Sequence, residues 1–302
     1  MSIAATLFKA IDVLFDHLQN GRRRHVYKDV DFVTEKDVRY HNDDSCCLDT
    51  YFVKKDSGKY PILFYIHGGG FVAGDKHHRR AISQWFAMMG YFVVNVNYGL
   101  CPSCKFPTPL QHLFYALNWV KENADEYNLD LDKLVIGGDS AGAYYSTAVL
   151  AVANNKHLQE RIGVTSDLAF KGALLNCGIY DISTALGGKL PFNIGEVILQ
   201  DFADIGLKDL ETYPHFDLCK TIDFVDGRFP KTFVTYAEKD IFCKGQSEIL
   251  VEKLKENDVQ VEEYHSTKLT SNHCFSLSWK GKDATTNNNM VEEFLKKIAN
   301  DN

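Results

Sequence analysis

The chain has 302 residues, of which 45% are hydrophobic and 24% charged, and carries a formal net charge of -7 at pH 7. Such a composition fits a soluble globular protein with a sizeable core. It supplies neither the basic stripe that nucleic acid requires nor an apolar run long enough to cross a bilayer.

The N-terminal stretch is apolar, but Lys9, Asp12 and Asp16 fall where a signal peptide stays uncharged. Ile3, Leu7, Ile11, Leu14, Phe15 and Leu18 instead recur at helical spacing. The pattern predicts an amphipathic helix that packs this stripe on the body of the protein, with Arg22-Arg23-Arg24 as a solvated turn after it. Lys28 to Tyr40 and Leu48 to Lys54 alternate in polarity about the Asn42-Asp43-Asp44-Ser45 turn, which predicts a β-hairpin.

Pro61 to Ile66 is an unbroken apolar run, the mark of a strand buried on both faces, and it ends in His67-Gly68-Gly69-Gly70-Phe71. A helix from about His78 to Met89, closed by Gly90, leads to a second buried strand at Tyr91 to Val96. Helical spacing follows between Pro107 and Tyr127, then a strand at Val135-Ile136 and a helix from Ala143 to Ala153. Strands are expected at Ala173 to Leu175, Phe233 to Tyr236 and Val259 to Tyr264, with helices at Ile249 to Leu254 and Val291 to Ile298. Buried strands alternating with helices predict an α/β fold: a mostly parallel sheet covered on both sides.

Ile182 to Phe229 breaks this rhythm. It holds weak helical stretches at Gly195 to Phe202 and Leu207 to Tyr213, with Gly187-Gly188 and Pro191 before them. It is too long for an ordinary loop, which predicts an inserted helical lid that packs with the N-terminal helix and lines the substrate pocket.

The eight cysteines are scattered. Cys101-Pro102-Ser103-Cys104 has no second pair to complete a zinc site and lacks the strand-to-helix setting of a redox motif. The expectation is structural thiols in a reducing cytoplasm.

Ser140 lies between two glycines in Gly138-Asp139-Ser140-Ala141-Gly142, with a strand before it and a helix after it. That is the setting of a nucleophile elbow, whose tight turn excludes bulk two residues either side of the serine. The Ala141 amide at the helix start faces the place where negative charge develops. The glycines after His67 let backbone amides approach an oxyanion, and no Walker lysine-serine accompanies them to suggest a phosphate cradle.

Asp240 follows a strand at the end where open α/β sheets do their chemistry, with Glu238 as its rival and helix capping as its alternative role. His273 stands in a loop able to reach the serine, whereas His265 lies at the edge of a strand. Serine, acid and histidine then occur in α/β-hydrolase order.

His67-Gly68-Gly69-Gly70 together with Gly138-Asp139-Ser140-Ala141-Gly142 resembles the paired signatures of hormone-sensitive-lipase-like esterases, and Tyr98-Gly99-Leu100-Cys101-Pro102 with Phe106-Pro107 extends the likeness. The resemblance runs from about residue 60 to the C-terminus. It implies one α/β-hydrolase domain over residues 1–302, capped by about residues 1–27 and by 182–229. It also implies oxyanion amides from Gly69, Gly70 and Ala141, and a triad of Ser140, Asp240 and His273. Gly99, Cys101 and Gln111-His112 replace the family's usual residues, so altered packing is expected near Tyr98.

The expected activity is serine carboxylesterase on small to medium acyl esters, with no cofactor and no metal. The partner is then a small-molecule ester, with neither nucleic acid nor stable membrane insertion, and a homodimer is compatible with the sequence. Two other readings stand beside it. One is an amide hydrolase for aryl formamides or short peptides. The other is a non-catalytic receptor like the plant gibberellin receptors, which lack the histidine that stands here as His273.

Overall fold

The computed structural model describes residues 3–187 and 194–301. Gly188 and Pro191 lie outside the described residues, as do the side chains of Phe15, Leu18 and Arg24.

The chain runs α1 (Ile3–Tyr27), β1 (Phe32–Arg39), β2 (Cys47–Val53), β3 (Tyr60–Ile66), α2 (Arg80–Met88), β4 (Phe92–Val96), α3 (Thr108–Glu122) and β5 (Leu129–Asp139). Then come α4 (Ala141–Ala153), α5 (Lys156–Ile162), β6 (Gly172–Asn176), α6 (Ile182–Gly187) and α7 (Ile194–Ala203). It closes with β7 (Lys231–Ala237), α8 (Gln246–Glu256), β8 (Val261–Ser266) and α9 (Gly281–Asn300).

The strands form one eight-stranded sheet in the order β1-β2-β4-β3-β5-β6-β7-β8. The β1–β2 and β2–β4 pairs are antiparallel and every other pair is parallel. Parallel strands need crossovers, and the helices of those crossovers cover both faces. Every residue of β3 is therefore buried, which is why its sequence does not alternate. Crossing from β3 to β4 on one side of the sheet and from β3's other neighbour, β5, to β6 on the other opens a crevice at the strands' carboxyl ends. The functional groups gather there.

Several sequence expectations need correction. Arg22 and Arg23 are not a solvated turn, because α1 continues to Tyr27. The Arg23 guanidinium lies 4.3 Å from the centre of the Trp279 ring, and Arg22 donates to the Ser278 carbonyl at 2.6 Å. Arginine is a good helix former, and these contacts keep the helix going.

The stripe faces inward only in part: Ile3, Leu7 and Leu14 are 74%, 38% and 58% exposed and Ile11 is half-buried, whereas Ala4, Ala5, Asp12, Gln19 and Asn20 are buried. Small residues let α1 approach the body closely, and its inner face is partly polar. The helix of α9 begins ten residues before Val291, through a Thr- and Asn-rich stretch of low helix propensity. The structure also has α5, which the sequence reading did not anticipate.

Between β6 and β7 the described residues form α6, α7 and 3₁₀ turns and no strand, and α7 packs against α1. The packing near Tyr98 is a matched set. The Gly99 amide donates to His112 Nδ1 at 3.1 Å, and a Cβ at Gly99 would fall 2.5 Å from the Cys104 sulfur. Gly99, Cys104 and His112 therefore depend on one another.

Candidate active site

The turn from β5 into α4 holds Ser140 at φ 55° and ψ -120°, a strained conformation for a residue other than glycine. A Cβ on Gly142 would lie 2.0 Å from the Ile66 carbonyl oxygen, and one on Gly138 would lie 2.5 Å from the Gly142 carbonyl. Only glycine fits at either place, so the turn forces the G-x-S-x-G pattern. The Ser140 amide donates to Asn176 at 2.9 Å, tying the elbow to the end of β6. The Cys243 sulfur lies within 4.8 Å of a carboxylate oxygen of Asp240 and a ring nitrogen of His273, and burial pushes that thiol's pKa well up.

The loop after β3 passes beside the elbow. Gly69 has φ +135° and Gly70 φ +61°, and a Cβ on Gly70 would lie 2.8 Å from the Phe8 ring of α1. The loop is held by His67, which burial pushes down to about 4, so its ring is neutral. That ring stacks on Tyr98 at 4.6 Å, and the Tyr98 hydroxyl donates to the His67 carbonyl at 2.8 Å. Ala141 opens α4, so its N–H belongs to the first turn, where amides lack an intrahelical acceptor.

Asp240 follows β7 and His273 follows β8. His273 Nδ1 lies 3.0 Å and 2.9 Å from the two Asp240 carboxylate oxygens. Asp240 Oδ1 also accepts from the amides of Phe242 at 2.8 Å and Cys243 at 2.9 Å. Burial opposes its charge, but the His273 ring and these amides hold the carboxyl below the ordinary range. With Nδ1–H donated to Asp240, the free lone pair of a neutral His273 is on Nε2.

Glu238 instead pairs with Lys239 at 2.7 Å on the surface, and His265 stacks on Tyr236 at 4.5 Å. Neither is part of this pair. The N-cap position of α8 belongs to Gly245, so Asp240 does not cap that helix. The Cys177 and Cys274 thiols are buried, and their sulfurs and a His273 ring nitrogen lie within 4.8 Å of one another.

Sequence reasoning passed over Arg79 and the role of Asp139. Arg79 donates through Nε and Nη2 to the two Asp139 oxygens, each at 2.7 Å, and Tyr65 donates to the same carboxylate at 3.1 Å. Burial works against Asp139, yet Arg79 holds its carboxyl below the usual range. A carboxylate inside the elbow, at the buried end of a strand, was the available signal that a cation must sit nearby.

A cavity of about 260 Å³ opens beside Ser140 and is lined by Gly69 and His273 together with Phe8, Ile11, Asp12, Leu14 and Gln19 of α1. Among the described residues, none from 182–229 lines it, contrary to the expectation for the insertion. The wall is supplied by α1 because its close approach through Ala4 and Ala5 brings Phe8 onto Gly70.

All eight cysteines are free thiols. Ligand atoms of His41, Cys46 and His112 lie within 4.8 Å of one another away from this cavity. However, Nδ1 of His112 accepts from Gly99 and Nδ1 of His41 accepts from Asp43. The Nδ1 lone pair of each ring is therefore already taken by a backbone N–H and is not free for a metal.

The family model that matches this chain, over residues 48–254, is BD-FAE. The chain belongs to the BD-FAE family. Esterase LipQ of Mycobacterium tuberculosis is 25% identical over 237 residues, covering 77% of this chain and 53% of LipQ. The acetyl esterase of Salmonella schwarzengrund is 32% identical over 99 residues, covering 32% of this chain and 31% of that enzyme. The chain thus spans about half the length of the first relative and about a third of the second.

Among solved structures, esterase B from Lactobacillus rhamnosis superposes with a TM-score of 0.77 at 21% identity, over 97% of this chain and 96% of that one. The bacterial heroin esterase superposes at 0.74 with 19% identity, over 95% and 90%. These likenesses establish the α/β-hydrolase fold.

Proposed function

We propose that this BD-FAE member is a serine carboxylesterase acting on small to medium acyl esters. The observation that supports this most is that the strained Ser140, the His273 ring paired with Asp240, and the Gly69 loop all border one cavity. The esterase names of relatives agree with it.

In this reading Ser140 Oγ attacks the acyl carbon as its proton passes to His273 Nε2. Asp240 holds Nδ1–H, fixing the tautomer and stabilising the imidazolium. The carbonyl oxygen becomes an oxyanion facing the amides of Gly69, Gly70 and Ala141. Collapse of the tetrahedral species breaks the C–O bond, and the alcohol leaves with the proton from His273. Water, deprotonated by His273, then attacks the acyl-enzyme, and collapse returns the proton to Ser140 Oγ.

We read α1 and the 182–229 segment as cap elements on a single domain, with α1 shaping the pocket. The eight free thiols suit a cytoplasmic setting, and among the described residues no helix is long and apolar enough to cross a membrane.

The test is hydrolysis of p-nitrophenyl esters of increasing acyl length by wild type and Ser140→Ala. The expected result is turnover that falls as the acyl chain outgrows the cavity and that disappears in the variant. Undiminished turnover by a folded Ser140→Ala would overturn the assignment.

A further inference from the structure

The acid and the base of the triad stand on two separate loops, Asp240 after β7 and His273 after β8. Groups placed in this way must be held in register, since a displacement of about 1 Å near the chemistry can cost ~10²-fold in rate. The bond from His273 Nδ1 to the Asp240 carboxylate is one tie between the loops. A second lies beside it. Asn272 Oδ1 accepts from the Ile241 amide at 3.2 Å and from the His273 amide at 2.7 Å.

One oxygen thus joins the residue that follows the acid to the backbone of the base. An amide carbonyl has two lone pairs, and both are used here. The neighbouring amides of Phe242 and Cys243 are already taken by Asp240 Oδ1, at 2.8 Å and 2.9 Å, so Ile241 turns its N–H to the other loop. On its own side, the Asn272 backbone carbonyl accepts from the Phe275 amide at 3.0 Å, which closes the turn that carries His273. Asn272 is exposed and borders the cavity together with Ser140, Ile241 and His273. An exposed side chain is not fixed by packing, so these two bonds give Asn272 its place.

We propose that Asn272 is a positioning residue of the triad, whose Oδ1 straps the Asp240 loop to the His273 loop and keeps the imidazole aligned on the carboxylate. The inference rests on the esterase reading and adds a residue to it. During turnover His273 gains and gives up a proton at Nε2, and its ring must stay on Asp240 in both states. The strap fixes the backbone on either side of that bond.

The experiment measures kcat and KM on p-nitrophenyl butyrate for wild type, Asn272→Ala, Asn272→Leu and Asn272→Asp, each shown to be folded by its thermal melt. Rates are read on the alkaline plateau of each enzyme's own pH–rate profile, so that the charge added by Asp does not enter. Asn272→Ala and Asn272→Leu lose the acceptor. Their kcat should fall roughly 5- to 100-fold with KM changed by less than about threefold, the pattern of a group that acts on the transition state. Asn272→Asp keeps an acceptor in the same place and should recover most of the loss. If one apolar variant does not fold, the other carries the test. The His273 Nδ1 proton, held by Asp240, should give a downfield proton resonance that broadens through exchange with water in the apolar variants and persists in Asn272→Asp.

A folded apolar variant with kcat within about fivefold of wild type, a loss carried by KM alone, or an Asn272→Asp as impaired as Asn272→Ala would overturn the strap and leave the esterase reading standing. If the folded wild type hydrolyses no p-nitrophenyl ester, the esterase reading falls, and the imidazole resonance alone judges the strap. A resonance as sharp in Asn272→Ala as in wild type would overturn it.

Discussion

Asp12 sits on the inner face of α1 with one carboxylate oxygen unpartnered, and burial is the main reason its pKa is pushed up to about 6 from the ordinary 3.8. The Arg79 charge and the Gly74 amide act in the opposite direction without cancelling that rise. The folded chain therefore holds this proton more tightly than the unfolded chain does. Stability from this group is greatest below the unfolded value, falls as pH rises through about 6, and is flat above it.

Each pH unit between the two values corresponds to ~1.4 kcal/mol, so the full loss approaches ~3 kcal/mol. Asn is close in shape and does not titrate. Asp12→Asn should thus match wild type near pH ~4 and exceed it by about 1–3 kcal/mol near pH ~8, read as urea unfolding midpoints across that range. A difference that does not change with pH would refute the reasoning, as would a variant less stable than wild type at the alkaline end.

Asp240→Asn should lower kcat by roughly 10³–10⁴ while the far-ultraviolet circular dichroism stays native, because the amide no longer enforces the His273 tautomer or stabilises its cation. A loss below tenfold would remove Asp240 from the mechanism. Arg79→Met should destabilise the protein by about 3–5 kcal/mol, since it leaves the Asp139 carboxylate buried without a counter-charge. Adding Asp139→Asn should recover part of that loss in urea unfolding. A double variant no more stable than Arg79→Met would show that charge imbalance is not the cause.

What could be read in advance depended on whether a feature is local in sequence. Gly138 and Gly142 flank Ser140 because a Cβ at either would strike backbone, so the elbow is written in five consecutive residues. The unbroken apolar run of β3 declared a central strand for a similar reason. The facing of α1 was not legible in this way. Helical spacing reveals that an apolar stripe exists, but the buried face is chosen by Ala4 and Ala5, which permit close approach, and by the polar residues that meet Arg79 and the cavity.

The Arg79–Asp139 pair was hidden because its members are 60 residues apart. The start of α9 was hidden because Thr and Asn are weak helix formers held there by tertiary packing. The insertion was legible as strand-free and helical, and its place beside the cavity was expected from its length and from the family resemblance; among the described residues, the cavity is lined by α1 and not by the insertion.

The measurement that tests the central claim most directly is stoichiometric inactivation by an organophosphate triester such as paraoxon, which loses 4-nitrophenolate, followed by intact mass and peptide mapping. The account predicts a single diethylphosphoryl adduct on Ser140, loss of esterase activity in step with its formation, and no adduct in Ser140→Ala. Label on another residue, or esterase activity that persists after Ser140 is fully modified, would contradict it.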